Sequence, residues 1–214
     1  RDFNKSIGQQ NEINLVWKIF GSAGGSSAWR TLDNSDDFGS VSKLFIAGNF
    51  ASGSWKANIQ LNGSGISMNY FTELSVVFQI PTENKHLDYL TVRIGVCANE
   101  NYDSGIYWES YGNQPWKLYI NGANVFTVDT VNNYAAGTWM TAVIEQTNTS
   151  YTAHIMETSG NNLYTYSTNT KNVSGLVKPI IGIHSINPSS GLSNINADER
   201  ILYIDYISIK HKIK

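Results

Sequence analysis

Apolar and polar residues alternate with a period of two along most of this chain, and no stretch repeats apolar residues at helical spacing. The alternation is clearest between Asp103 and Trp139. There Ile106 and Trp108 alternate with Tyr107 and Glu109, and Trp116, Leu118 and Ile120 alternate with Lys117, Tyr119 and Asn121. Such runs mark strands with two unlike faces. Asn121-Gly122 tolerates positive φ at both central turn positions, so a tight hairpin into Ala123–Val128 is predicted. Trp139 opens a further run with Thr141 and Val143 on its face, which places the ring between two sheets. Three of the six tryptophans fall in this stretch, either as a core nucleus or as a sugar-stacking face.

The rest of the chain reads the same way. Arg1 to Ile13 lack a period and read as a lead-in or linker, and residues 14–214 as a single β-sandwich domain. Asn14–Phe20 is a first strand, followed by a flexible Gly/Ser loop over Gly21–Ser27. Lys43–Ala47, Trp55–Leu61 and Ser67–Asn69 are short strands between Gly/Asn/Ser turns. Longer runs follow at Phe71–Ile80 and His86–Cys97. Beyond the central stretch come Thr141–Glu145, Tyr151–Met156 and Leu163–Tyr166. Pro179–His184 has the look of a buried strand, and Ile201–Ile209 is apolar on both faces, as for a strand covered on both sides. About a dozen strands with frequent turn signals predict an all-β jelly-roll sandwich of two antiparallel sheets with little helix.

Composition narrows the chemistry. Charged residues are 15% of the 214 positions, against about 25% in an average globular protein. Asn, Ser, Thr and Gly supply the polarity instead, which suits a turn-rich protein with an uncharged, hydrogen-bonding surface. The net charge of −2 offers nucleic acid no clustered basic surface. No apolar run is long enough for a membrane-spanning helix, so no membrane insertion is expected. No signal peptide is expected within this sequence, and a start at Arg1 suggests a trimmed or processed chain. Cys97 is the sole cysteine, which excludes an internal disulfide and reads as a buried, inert thiol. The acidic group Asp33, Asp36 and Asp37 reads as a solvated loop without calcium-loop spacing. No metal and no cofactor is assigned. His86, His154, His184 and His211 show no metal-ligand spacing and no nucleophile partner, so each reads as a satisfied or surface histidine.

The order GIYWE, WKLYING, VDT, AAGTW and AVIEQTNTSYTAHI resembles a recurrent domain of tailed-phage tail fibres and other virion surface proteins. Leu90–Gly95 is similar to that domain's upstream strand and LYIDYISI to its closing strand, so the resemblance covers Asp88 to Lys210. It departs at Asp129, where DTV stands for DTG, and at Tyr134. The resemblance implies a concanavalin A-like jelly roll, a fold shared by lectins, laminin G-like modules, family 16 glycosidases and alginate lyases. The glycosidases' ExDxxE strand is absent. Gln79-Ile80-Pro81 puts proline where the lyases place a histidine, and Asp205 matches a structural position of the closing strand.

Glycans are held by aromatic rings stacked on the sugar, with amides and carboxylates reaching its hydroxyls. Trp108 and Trp139 are expected in the core. Tyr111 and Trp116 flank the turn SYGNQPW, whose polar residues leave both the core and the sugar-stacking reading open. The expected site takes them as an aromatic platform, with Asn113 and Glu109 bonding sugar hydroxyls. The loop Ala98–Asp103 is the second candidate. The expectation is a non-catalytic domain on the virion surface, hence extracellular. Its partners would be a host surface polysaccharide or glycan and other virion proteins, in a homo-oligomer such as a trimer. A purely structural decoration module, or a polysaccharide-degrading enzyme with an atypical site, are the alternatives.

Overall fold

Only strands, and no helix, occur among the described residues. A computed structural model of the chain describes residues 17–21, 26–33, 40–47, 53–61, 65–82, 84, 90–99, 101–112, 114–128, 136–160, 164–187 and 200–212. The lead-in Arg1–Ile13 lies outside them, as do Asp36, Asp37, His86, Asn113, Asp129 and Tyr134. In chain order the strands are β1 (Trp17–Gly21), β2 (Ser26–Asp33), β3 (Ser40–Ala47), β4 (Gly53–Leu61), β5 (Ile66–Ser67), β6 (Phe71–Gln79), β7 (Leu90–Cys97) and β8 (Gly105–Tyr111). They continue with β9 (Lys117–Ile120), β10 (Ala123–Thr127), β11 (Trp139–Gln146), β12 (Tyr151–Glu157), β13 (Tyr164–Thr168), β14 (Leu176–Asn187) and β15 (Ile201–His211).

Two antiparallel sheets result. The first runs β1-β4-β14-β7-β8-β9-β10, with β5 beside β14, and the second runs β13-β12-β11-β6-β15-β3-β2. One face of each supplies the core between them. Ile94, Ile106, Trp108 and Ile181 of the first meet Leu74, Phe78, Ile144 and Ile204 of the second, all buried to within 1%. The hairpin predicted at Asn121-Gly122 joins β9 to β10, and both residues have positive φ, 50° and 77°. That pair of angles matches the right-handed twist of the flanking strands.

Three expectations are corrected. The alternation does not predict β2, which takes in residues read as loop, Ser26, Ser27 and Asp33. Among the described strands it lies at the end of its sheet and pairs with β3 alone, and an edge strand needs no strongly two-faced pattern. Trp139 is half-buried rather than between the sheets. Met140, Ala142 and Ile144 hold the inner positions of β11, so Trp139, Thr141 and Val143 share the outer face. Finally, β15 is not covered on both sides. A bulge between Ile204 and Tyr206 shifts its register, so Ile201, Leu202, Ile204 and Ile207 are buried while Tyr206 is 37% exposed.

Candidate functional site

Strand β8 separates the two faces of the first sheet. Ile106 and Trp108 point into the core, so Tyr107, Glu109 and Tyr111 stand on the outer face. On β9 the inner residues are Leu118 and Ile120, leaving Lys117 and Tyr119 outside. Antiparallel register carries these outer positions across the sheet in rows. One row is Asn58, Gly182, Arg93, Glu109 and Lys117, on β4, β14, β7, β8 and β9 in turn. Beside it run Gln60, Ile180, Gly95, Tyr107 and Tyr119 and, on the other side, Lys56, His184, Thr91 and Tyr111.

The centre of this face is a connected polar and aromatic group. Arg93 Nε donates to Glu109 Oε2 at 2.6 Å. The guanidinium lies 5.1 Å from the centre of the Tyr102 ring, within cation–π range. Tyr107 stacks on Tyr119 with centroids 5.1 Å apart and planes 4° from parallel, and Tyr102 meets Tyr107 edge-on at 5.1 Å. Tyr102 comes from the loop after β7 with a left-handed φ of 62°, uncommon for a bulky residue. Lys56 Nζ ties the same loop to β4 by donating to Asn101 Oδ1 at 3.3 Å.

Gly95 and Gly182 on this face leave no room for a side chain. A Cβ on Gly95 would fall 2.3 Å from Tyr107 Cβ, and one on Gly182 only 1.8 Å from Asn58 Oδ1. The Asn58 side chain therefore leans over β14 toward Arg93. Its Nδ2, and the Tyr102 hydroxyl, are buried and have no hydrogen-bond partner among the described residues. Buried polar groups are nearly always paired, so two such groups on one face stand out.

The electrostatics favour proton donors. Burial, then the positive charges of Arg93 and Lys56, hold the His184 imidazole below its usual range against the opposing pull of Glu109, so it is neutral at pH 7. Burial pushes the Tyr107 phenol up to about 12. Burial followed by the Glu109 charge raises Tyr119. Burial works to lower Arg93, but the charge and hydrogen bond of Glu109 more than offset it and its pKa is raised. Cys97 sits on the same outer face among Tyr102, Tyr107 and Ile180. It is buried as expected, and burial pushes its thiol far up.

The structure disperses the site expected from sequence. Trp116 is 1% exposed and meets Phe78 of the second sheet edge-on at 5.4 Å, so it is a core ring and cannot stack on a sugar. Its indole continues the inner phase of Leu118 and Ile120 one step before β9 begins. Tyr111 is 41% exposed, at the margin of the outer face, and Glu109 is engaged by Arg93. Asn113 lies outside the described residues. The aromatic group is instead Tyr107, Tyr119 and Tyr102. The alternation of Tyr107 with Trp108, and of Tyr119 with Leu118, is the signal that finds the first two. No group of three or more metal-ligating side chains assembles among the described residues.

No protein-family model matches the chain, and no curated protein matches it in sequence. Solved structures do match in shape. A protein of unknown function, SO2946, from Shewanella oneidensis MR-1 superposes with a TM-score of 0.62 at 18% identity, covering 100% of this chain and 85% of its own. The lectin UEA-II, solved with galactose, gives 0.52 at 10% identity, covering 92% of this chain and 99% of its own. The carbohydrate esterase vb_24B_21 from the Shiga toxin-encoding bacteriophage phi24B gives 0.51 at 12%, covering 98% and 95%. At these identities the likeness establishes fold alone: the chain is an all-β, concanavalin A-like jelly roll of two antiparallel sheets.

Proposed function

We propose that this domain binds a glycan, without cleaving it, on the outer face of the eight-stranded sheet, and that it does so at the surface of a phage virion. The observation that carries the proposal is the face itself. Stacked Tyr107 and Tyr119 lie beside a guanidinium–carboxylate pair. Aromatic rings next to fixed polar groups suit sugars, whose ring faces are apolar and whose edges are hydroxylated. A fold shared with lectins supports the reading, and resemblance to tail-fibre domains supports the setting. In a fibre, several copies would raise a weak affinity by roughly 10²–10⁴ through avidity.

The test is a glycan array probed with the wild-type domain and with Tyr119→Ala, both checked for unfolding midpoint. Binding that is lost in a stably folded Tyr119→Ala variant supports the assignment. No binding by the wild type to any glycan would leave the purely structural module in its place. Polysaccharide cleavage is a second reading with one observation in its favour. The neutral His184 imidazole shares its face with Arg93 and the tyrosines, an arrangement that suits proton transfer. Reducing-end and unsaturated-product assays on array-positive polymers decide between binding and cleavage.

A further inference from the structure

We infer that the glycan held on this face is anionic, with carboxylate or sulfate groups along the polymer. This rests on the proposed glycan-binding function and names its ligand class. Among the described outer positions of β4, β14, β7, β8 and β9, the cations are Lys56, Lys178, Arg93 and Lys117, and the one carboxylate is Glu109. A positive face on a chain of net charge −2 marks a local concentration of charge, and such a face raises the local concentration of an oppositely charged ligand.

Hydrogen-bonding capacity leads to the same class. Glu109 already accepts from Arg93 Nε. Only Nε of the Arg93 guanidinium is used in that contact, and the rest of its fork donates to no described residue. In the sheet, Asn58 and Arg93 stand two strands apart with Gly182 between them, a gap of about 10 Å at the ordinary strand spacing. The Asn58 Oδ1 leans into that gap because Gly182 has no side chain. The neutral His184 imidazole and Lys56 border it on the neighbouring row. The gap is thus rimmed by a guanidinium fork, an ammonium and an imidazole, with its carboxylate already paired to Arg93. A neutral sugar brings no charge to the guanidinium and ammonium, whereas an anionic group meets both directly. Planar guanidinium suits carboxylate and sulfate oxygens in particular.

The experiment measures binding of the whole chain to polygalacturonate, to carboxyl-reduced polygalacturonate and to dextran sulfate, at low and at physiological salt. A double variant, Lys56→Gln with Lys117→Gln, is measured alongside Arg93→Lys, with unfolding midpoints as a folding check. Binding to polygalacturonate, weakened about tenfold by salt and about tenfold by the double variant at an unchanged midpoint, supports the inference. So does equal binding of dextran sulfate, which would show that the recognised group is any acidic oxygen cluster. Equal binding to the carboxyl-reduced polymer, insensitive to salt and to the lysine changes but lost in Tyr119→Ala, overturns it while leaving glycan binding standing. Failure to bind any polymer or array glycan overturns both.

Discussion

Replacing Trp116 with alanine separates a core ring from a sugar-stacking one. The indole is 1% exposed and stands edge-on to Phe78 across the sandwich. A buried tryptophan withdraws roughly 150–250 Å² from water. At about 25 cal/mol per Å² that is roughly 4–6 kcal/mol, an upper figure because the unfolded chain already hides some of this area. Alanine retains part of the burial, while the cavity left behind and the lost ring contact act in the other direction. The expected cost is about 3–5 kcal/mol, within the range for large aromatic-to-alanine changes in cores. At roughly 2–4 °C per kcal/mol for a chain of this size, the thermal midpoint drops by about 6–20 °C. Urea unfolding followed by fluorescence reads the midpoint and slope directly. Tyr111→Ala is the control, because a ring 41% exposed should cost no more than about 1 kcal/mol. A Trp116→Ala variant with wild-type midpoint and slope refutes the core placement.

Two further outcomes follow from the outer face. Cys97 should resist thiol reagents in the folded protein and react only after denaturation, since the thiolate is the reactive form and burial disfavours it; rapid labelling under native conditions would contradict this. His184 makes stability depend on pH. Its folded-state pKa is depressed, so the unfolded chain binds the proton first, and the stability present above about 6.5 is lost as pH falls toward the folded value. His184→Gln should flatten this part of a stability–pH profile, and an unchanged profile would show that the ring is not so placed.

The fold was legible because a jelly roll writes its pattern locally. Period-two runs located Phe71–Gln79, Leu90–Cys97, Gly105–Tyr111 and Tyr151–Glu157 to within a few residues, and Asn-Gly announced its hairpin. What failed were the places where neighbours overrule the local pattern. Strand β2 is defined by pairing with β3 rather than by its own two-faced sequence. The phase of β11 was read from its tryptophan, yet the inner row is Met140, Ala142 and Ile144. In β15 one bulge reverses which residues face outward, and a sequence does not announce a bulge.

The site was legible only by parts, and the register across the β8–β9 hairpin shows why. Glu109 pairs with Lys117 and Trp108 with Leu118. Continued one step past β9, that register would set Trp116 against Ser110, which is 6% exposed, and not against Tyr111. The two aromatics of SYGNQPW therefore belong to opposite faces, and no platform can contain both. Reading the turn alone could not decide this, because parity across a hairpin depends on how many residues the connection consumes. The outer residues Tyr107, Glu109 and Tyr119 were visible as the second half of an alternation whose first half is core. Their partners were not. Asn58, Arg93 and His184 lie on strands that are distant in sequence and adjacent in space only because β14 runs between β4 and β7. An outward residue can be recognised from its own strand, but a binding face exists only once the strand order is known.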